Sequence, residues 1–297
     1  MIIDSHVHYA HKVYDTEGPC LCGLDKTYTV RRVERETLLT LLRENGIVGV
    51  IEPSIGFDAI GKQMDTVSAH SDFMWAAIGI HPTRCTRTAW RHRRDLKRYA
   101  VTHDIVAIGE TGLDYHEKNF TSKQGRVQRR WFRYQLKLAH HMRLPMILHI
   151  RKADGDVLKM LKKYRRYLHG GVVHCFGGDH NRAMDYIALG YAIGIGGALL
   201  DDDETGRALC DTVKNVPLSS LLVETDAPFV YPERGKAECD TTPSQKKKLR
   251  NSSLILPMVV ERIAELRGEP RALVEEALYR NTIRVFGLKE PLVSQTE

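Results

Sequence analysis

Met1-Ile2-Ile3-Asp4-Ser5-His6-Val7-His8 is a short apolar strand that runs out into two histidines separated by one residue. Alternate side chains of a strand share a face, so His6 and His8 direct two imidazoles to one point. Two converging neutral imidazoles are the beginning of a metal site. A buried strand whose histidines bond only to local neighbours is the plainer reading, and the presence or absence of further ligands decides between them.

Working outward, the same pattern recurs. Apolar, β-rich runs at 2–8, 47–51, 75–81, 105–110, 146–149, 171–174, 191–195 and 221–226 are each followed by polar or Gly/Pro residues. Between them lie stretches with helical spacing. The stretch 37–42 stops at Asn45-Gly46, and 127–142 carries Phe132, Leu136 and Ala139 on one stripe; 157–168, 254–266 and 271–279 supply more. Buried strands alternating with helices form a parallel sheet with helical crossovers, and eight repeats predict closure into a single (β/α)8 TIM barrel. An open doubly wound sheet is the alternative, but no Gly-rich phosphate loop follows the first strand. We assign 1–289 to the barrel and 290–297 to a polar tail. Two long loops, 9–30 and 231–250, leave the C-terminal ends of strands, the face where barrels keep their active sites.

A chain of 297 residues, 42% hydrophobic and 27% charged, suits one such soluble barrel. It has no apolar run near the roughly 18 residues of a membrane span and no leader pattern, so a cytoplasmic protein without a membrane partner is expected. Six scattered cysteines predict free thiols rather than a disulfide framework. Cys20-Leu21-Cys22 lacks a second close pair to complete a metal site. The formal charge of +7 suits a polyanionic partner without requiring one.

What occupies the strand ends is more specific. His6 and His8 end the first strand, His81 the third, Glu110 the fourth, His149 the fifth, His174 the sixth, and Glu224 with Asp226 the eighth. In a barrel all of them reach one rim. His6, His8 and Asp226 can hold one ion and His149 and His174 a second, with Glu110 bridging the two as in two-metal hydrolytic sites. Neither ion is saturated by protein ligands, which is the mark of a catalytic centre.

The motifs Asp4-Ser5-His6-Val7-His8, Gly79-Ile80-His81-Pro82, Gly109-Glu110-Thr111-Gly112-Leu113-Asp114-Tyr115, Leu144-Pro145-Met146-Ile147-Leu148-His149-Ile150-Arg151, Val173-His174-Cys175-Phe176-Gly177-Gly178 and Leu222-Val223-Glu224-Thr225-Asp226-Ala227-Pro228-Phe229 run in order along nearly the whole chain. Together they resemble the TatD family of metal-dependent deoxyribonucleases, among the amidohydrolase-like barrels. The resemblance implies the same two-metal assignment, 3′-to-5′ exonuclease action on DNA, and a need for Glu224. It also implies that His81 and Arg151 lie near substrate, and it matches Arg250-Asn251 to an Arg-Asn pair after the last strand. The longer 9–30 segment departs from the family pattern. So does the insert between Arg234-Gly235-Lys236 and Arg250-Asn251, with Lys246-Lys247-Lys248 inside it and Ser252-Ser253 after it. Both departures border the mouth and bear on substrate identity.

The expected chemistry is hydrolysis of DNA, at single strands or 3′ ends, by water activated on two divalent ions, with Mg, Mn or Zn as candidates. Asp226 is expected to orient and deprotonate the water, His81 or Glu224 to assist the leaving oxygen, and Arg151, Arg234 and Arg250 to clamp phosphates. The basic runs 91–98 and 159–166 are expected to be solvated helix faces, and 246–250 to track a nucleic-acid backbone. Two rivals are a metal-dependent hydrolase of amides, lactones or aminoacyl esters and a non-catalytic nucleic-acid-binding protein; the complete ligand set speaks against the second.

Overall fold

The computed structural model describes residues 1–24, 27–116, 120–233, 235 and 248–289. Strand β1 (Ile2–Asp4) is followed by an antiparallel hairpin, β2 (Gly18–Leu24) and β3 (Thr27–Val33). Helix α1 (Arg35–Glu44) and strand β4 (Ile47–Pro53) come next. The alternation continues through α2 (Ile60–Ala69), β5 (Met74–Ile78), α3 (Arg93–Thr102), β6 (Ile105–Asp114), α4 (Ser122–Met142), β7 (Met146–Arg151) and α5 (Asp154–Lys163). It ends with β8 (Gly171–His174), α6 (His180–Ile187), β9 (Tyr191–Ile195), α7 (Glu204–Asn215), β10 (Leu221–Val223), α8 (Leu256–Arg267) and α9 (Arg271–Phe286).

Eight strands form one parallel sheet in the order β1-β4-β5-β6-β7-β8-β9-β10. Its two edges meet where Ser5 N donates to Val223 O at 3.0 Å and Asp226 N to His6 O at 2.9 Å, giving the nearly closed barrel that the eight apolar runs predict. Its interior takes one residue from each strand: Ile3, Ile51, Ala77, Ala107, Ile147, Val172, Ala192 and Leu222. Alanines opposite branched side chains let such a layer fill without voids. Tyr279 and Phe286 of α9 join this cluster. Hydrophobic burial there, at roughly 25 cal/mol per Å² of apolar surface, makes the strand ends a rigid frame for the site.

Residues 9–30 are not an extended loop. A 3-10 turn (Lys12–Asp15) leads into the hairpin, whose first strand is buried. The Gly and Pro of Gly18-Pro19 suggest a loop, but Cys20, Leu21 and Cys22 gain a partner strand through Cys20↔Arg31 and Cys22↔Thr29 pairing, which tertiary contact supplies. Cys20 Sγ donates to Asn251 O at 3.5 Å, and the five cysteines that can be described are free thiols. Helices α2, α6 and α7 also escape the sequence reading. The tail 290–297 and Lys246-Lys247 lie outside the described residues. Among the described residues no helix is long and apolar enough to cross a membrane.

Candidate metal centre

The ladder of β1 ends at Asp4, but Val7 bridges Ala227 and donates its N–H to Ile51 O at 2.9 Å. The backbone thus keeps its pleat past the strand, and His6 and His8 share a face with their Nε2 atoms 3.2 Å apart. Asp226, at φ +55°, turns its carboxylate toward them. Its Oδ1 lies 3.5 Å from His6 Nε2 and 3.3 Å from His8 Nε2. Glu110 lies within β6, which runs on to Asp114 rather than ending at Glu110, and places Oε2 3.7 Å from His6 Nε2 and 4.0 Å from His8 Nε2.

Glu110 presents its other oxygen elsewhere. Oε1 lies 2.9 Å from His149 Nδ1, 3.1 Å from His174 Nε2 and 3.5 Å from His81 Nε2. His81, which sequence reasoning places near substrate, therefore gathers with Glu110 and His149 as a possible ligand group, while His174 gathers with His6 and Asp226. The His174 ring stacks on His6 with centroids 3.7 Å apart.

Ligand atoms about 2.1 Å from one ion in a tetrahedron stand about 3.4 Å from each other, and the separations among His6, His8 and Asp226 match that spacing. Their converging lone pairs have too few protons between them to satisfy one another. The His/Glu/Asp donor set therefore fits a divalent cation.

In the metal-free chain the imidazoles divide into two sets. Burial and the neighbouring His174 hold His6 well below its usual range, keeping the imidazole neutral as a ligand must be. Burial likewise lowers His81 to about 4. For Glu110 burial acts to raise the pKa, but His81, His174 and His149 outweigh it and keep the carboxylate ionised. Burial opposes charge on His8, His149 and His174 too, yet the carboxylates facing them raise all three above the ordinary histidine value, and a bound cation would take the place of those protons.

A second layer holds these ligands, and sequence reasoning missed most of it. Asp4 Oδ1 accepts from the amides of His6 and Thr225 at 3.1 Å, and Oδ2 accepts from Thr225 Oγ1 at 2.6 Å and Ser253 Oγ at 2.7 Å. One carboxylate thus ties the first strand's end to the last. Asp114 Oδ2 lies 3.1 Å from His149 Nε2 and orients that ring. Both aspartates sit inside the quoted motifs, two residues before His6 and four after Glu110, which was the available signal. Glu52, directly after the second apolar run, is buried, accepts from Tyr9 N at 2.6 Å, and is pushed to about 7 by burial. Glu224 is buried behind His174, its Oε1 3.4 Å from His174 Nδ1. Gly194 leaves it room, since a Cβ there would come within 2.5 Å of Glu224 Oε2.

Above the ligands opens a groove of about 840 Å³, bordered by Lys12, Lys62, Arg84, Arg87 and Phe229. His81 and Asp226 line it; Arg151, Arg250 and Asn251 do not. Arg151 is exposed at the end of β7. Arg250 is buried, donates to Thr16 O at 3.0 Å and stacks on Tyr14. Asn251 donates to Thr225 O at 3.0 Å. Arg234 lies outside the described residues. The groove's own cations were not singled out from sequence, although Arg84 and Arg87 closely follow the Gly79-Ile80-His81-Pro82 motif.

A family model described as TatD related DNase matches residues 3–287. A protein of Pantoea ananatis named 3′-5′ ssDNA/RNA exonuclease TatD is 31% identical over 268 residues, covering 90% of this chain and 98% of its own. Its namesake in Rahnella sp. is 30% identical, covering 90% and 97%. Among solved structures, the TatD homologue YJJV of Escherichia coli K12 superposes with a TM-score of 0.76 at 26% identity, over 97% of this chain and 98% of that one. A TatD-family hydrolase from Entamoeba histolytica, 21% identical over 98% of each chain, shares the fold with a TM-score of 0.75.

Proposed function

The chain belongs to the TatD-related DNase family, and from that premise we propose that it is a metal-dependent 3′-to-5′ exonuclease acting on single-stranded nucleic acid. The observation that carries this reading is Glu110 with one oxygen toward His6 and His8 and the other toward His149 and His174, beneath a groove edged by cations. We assign His6, His8 and Asp226 to one divalent ion and His149 and His174 to another, with Glu110 shared and His81 adjoining the second.

Bound divalent ions supply polarisation of the phosphate and a lower pKa for water. The chain's own residues do the rest. Asp226 borders the groove and accepts the proton of the attacking water. His81, neutral and on the groove wall, is positioned to hydrogen-bond the leaving oxygen, whereas Glu224 is too deeply buried and instead, 3.4 Å from His174 Nδ1, orients that imidazole. Lys12, Lys62, Arg84 and Arg87 hold the phosphates of the strand entering the groove. Arg151, exposed at the end of β7, would meet the strand farther out, and Arg250 and Asn251 act through the backbone they brace.

End-labelled DNA and RNA oligonucleotides, incubated with magnesium, manganese or zinc and mapped at each end, test this. Stepwise loss from the 3′ end is expected. Absence of any nucleic-acid product alongside turnover of a lactone or aminoacyl ester would refute it.

A further inference from the structure

Helix α4 contains no acidic residue in its 21 positions. Arg126, Arg130, Arg133 and Lys137 are spaced four, three and four apart and are all exposed, so they form one stripe. Over that stretch the helix rises about 17 Å. Like charges at these spacings repel and weaken a helix by a few tenths of a kcal/mol per pair, and among the described residues none of the four has a carboxylate within ion-pair distance. Such a stripe is costly to keep unless something anionic lies on it.

Its position gives that anion a source. In a barrel the helix after a strand starts at the mouth and descends the outer wall, so α4 begins at the same end of the barrel as the groove. The neighbouring connection leaves His81, puts Arg84 and Arg87 on the groove border, and reaches Trp90. The Arg130 guanidinium lies 3.9 Å from the centroid of the Trp90 ring, and Arg93 packs on the same ring at 5.3 Å. Cations thus continue from the groove, over the 84–91 connection, to the flank of α4.

We propose that this flank is a nucleic-acid docking face, on which the part of a single strand outside the groove lies with its phosphates along the α4 stripe. The proposal rests on the nuclease reading and extends it. It makes long strands better ligands than short ones, without altering the chemistry at the strand's end.

The test uses phosphorothioate-linked single strands of about forty and about six nucleotides, with binding followed by fluorescence anisotropy across a salt series. The variant carries Arg126→Ala, Arg130→Ala, Arg133→Ala and Lys137→Ala; alanine favours the helix, and a second variant leaving Arg130 on Trp90 guards against local unfolding. Loss of about 0.7 in the salt slope per phosphate contact predicts a fall of about two to three for the long strand, with affinity down about 10- to 100-fold. Binding of the short strand should hold. An unchanged slope for the long strand, equal losses for both strands, or tighter binding of a polyglutamate chain than of DNA would each overturn the docking face. Wild-type protein that digests no nucleic acid, but whose variant still loses the slope, would sink the nuclease reading and leave the face standing; intact digestion with an unchanged slope would do the reverse.

Discussion

Replacing Gln135 by leucine should cost about 3 kcal/mol of stability and loosen the metal centre from behind. Gln135 is fully buried on α4, where its Oε1 accepts from Ile80 N at 2.7 Å and its Nε2 donates to Ile80 O at 3.2 Å and to Thr111 Oγ1 at 2.7 Å. It therefore satisfies the peptide that precedes His81 and the side chain that follows Glu110. Leucine fills nearly the same space but leaves the Ile80 amide and carbonyl without these partners. Each orphaned buried group costs about 1–3 kcal/mol, about 4 for the pair, and the added apolar burial returns roughly 1. Against a domain stability of about 5–15 kcal/mol this is a large loss. Urea unfolding followed by tryptophan fluorescence measures it as a lower midpoint at unchanged m. Gln128 is the internal comparison: it brackets the Asp114 peptide, accepting from its N and donating to its O at 2.9 Å. Gln128→Leu should cost a similar amount. The pair stands two helical turns apart, so the double variant should be additive within about 0.5 kcal/mol. A Gln135→Leu protein within about 1 kcal/mol of wild type would show that helix α4 does not hold the strand ends in the way described.

Other outcomes follow from the same geometry. Glu110→Gln should remove the shared anionic ligand, lowering bound metal in elemental analysis and nuclease activity by at least about 100-fold; retention of full activity would refute the bridging role. Asp114→Asn should leave the fold intact but weaken metal affinity about 10- to 100-fold through His149, and unchanged affinity in a chelator competition would count against it. Glu52 gives metal-free protein a pH signature. Because burial raises its folded-state pKa from 4.5 to about 7, the native state binds the proton that the unfolded state gives up. This group's contribution therefore falls by about 3 kcal/mol as pH rises from about 4 to above 7. Glu52→Gln should flatten that part of the stability curve, and a curve as steep as wild type would exclude Glu52 as its source.

The strand grammar was legible because β strands buried on both faces advertise themselves as apolar runs, and Ile47 to Ile51 or Tyr191 to Ile195 can be little else. The hairpin Gly18 to Val33 was not, because its first strand is buried by packing rather than by its own alternation. The groove cations were likewise hidden. Lys12 and Lys62 are 50 residues apart, and only the fold sets them at one rim.

By itself the sequence determined the parts that local chemistry dictates: eight buried strands, their order, and a histidine or carboxylate toward the end of six of them. Which nitrogen faces which oxygen was decided by tertiary structure. Asp4 must reach Thr225 and Ser253 across more than 200 residues before His6 and Asp226 come to rest 3.5 Å apart. Arg250 and Asn251, which the resemblance to the family offers as substrate-binding residues, bond instead to backbone carbonyls of Thr16 and Thr225. Periodicity is a property of neighbours along the chain. The satisfaction of buried polar groups is a property of neighbours in space, and only the folded barrel creates those.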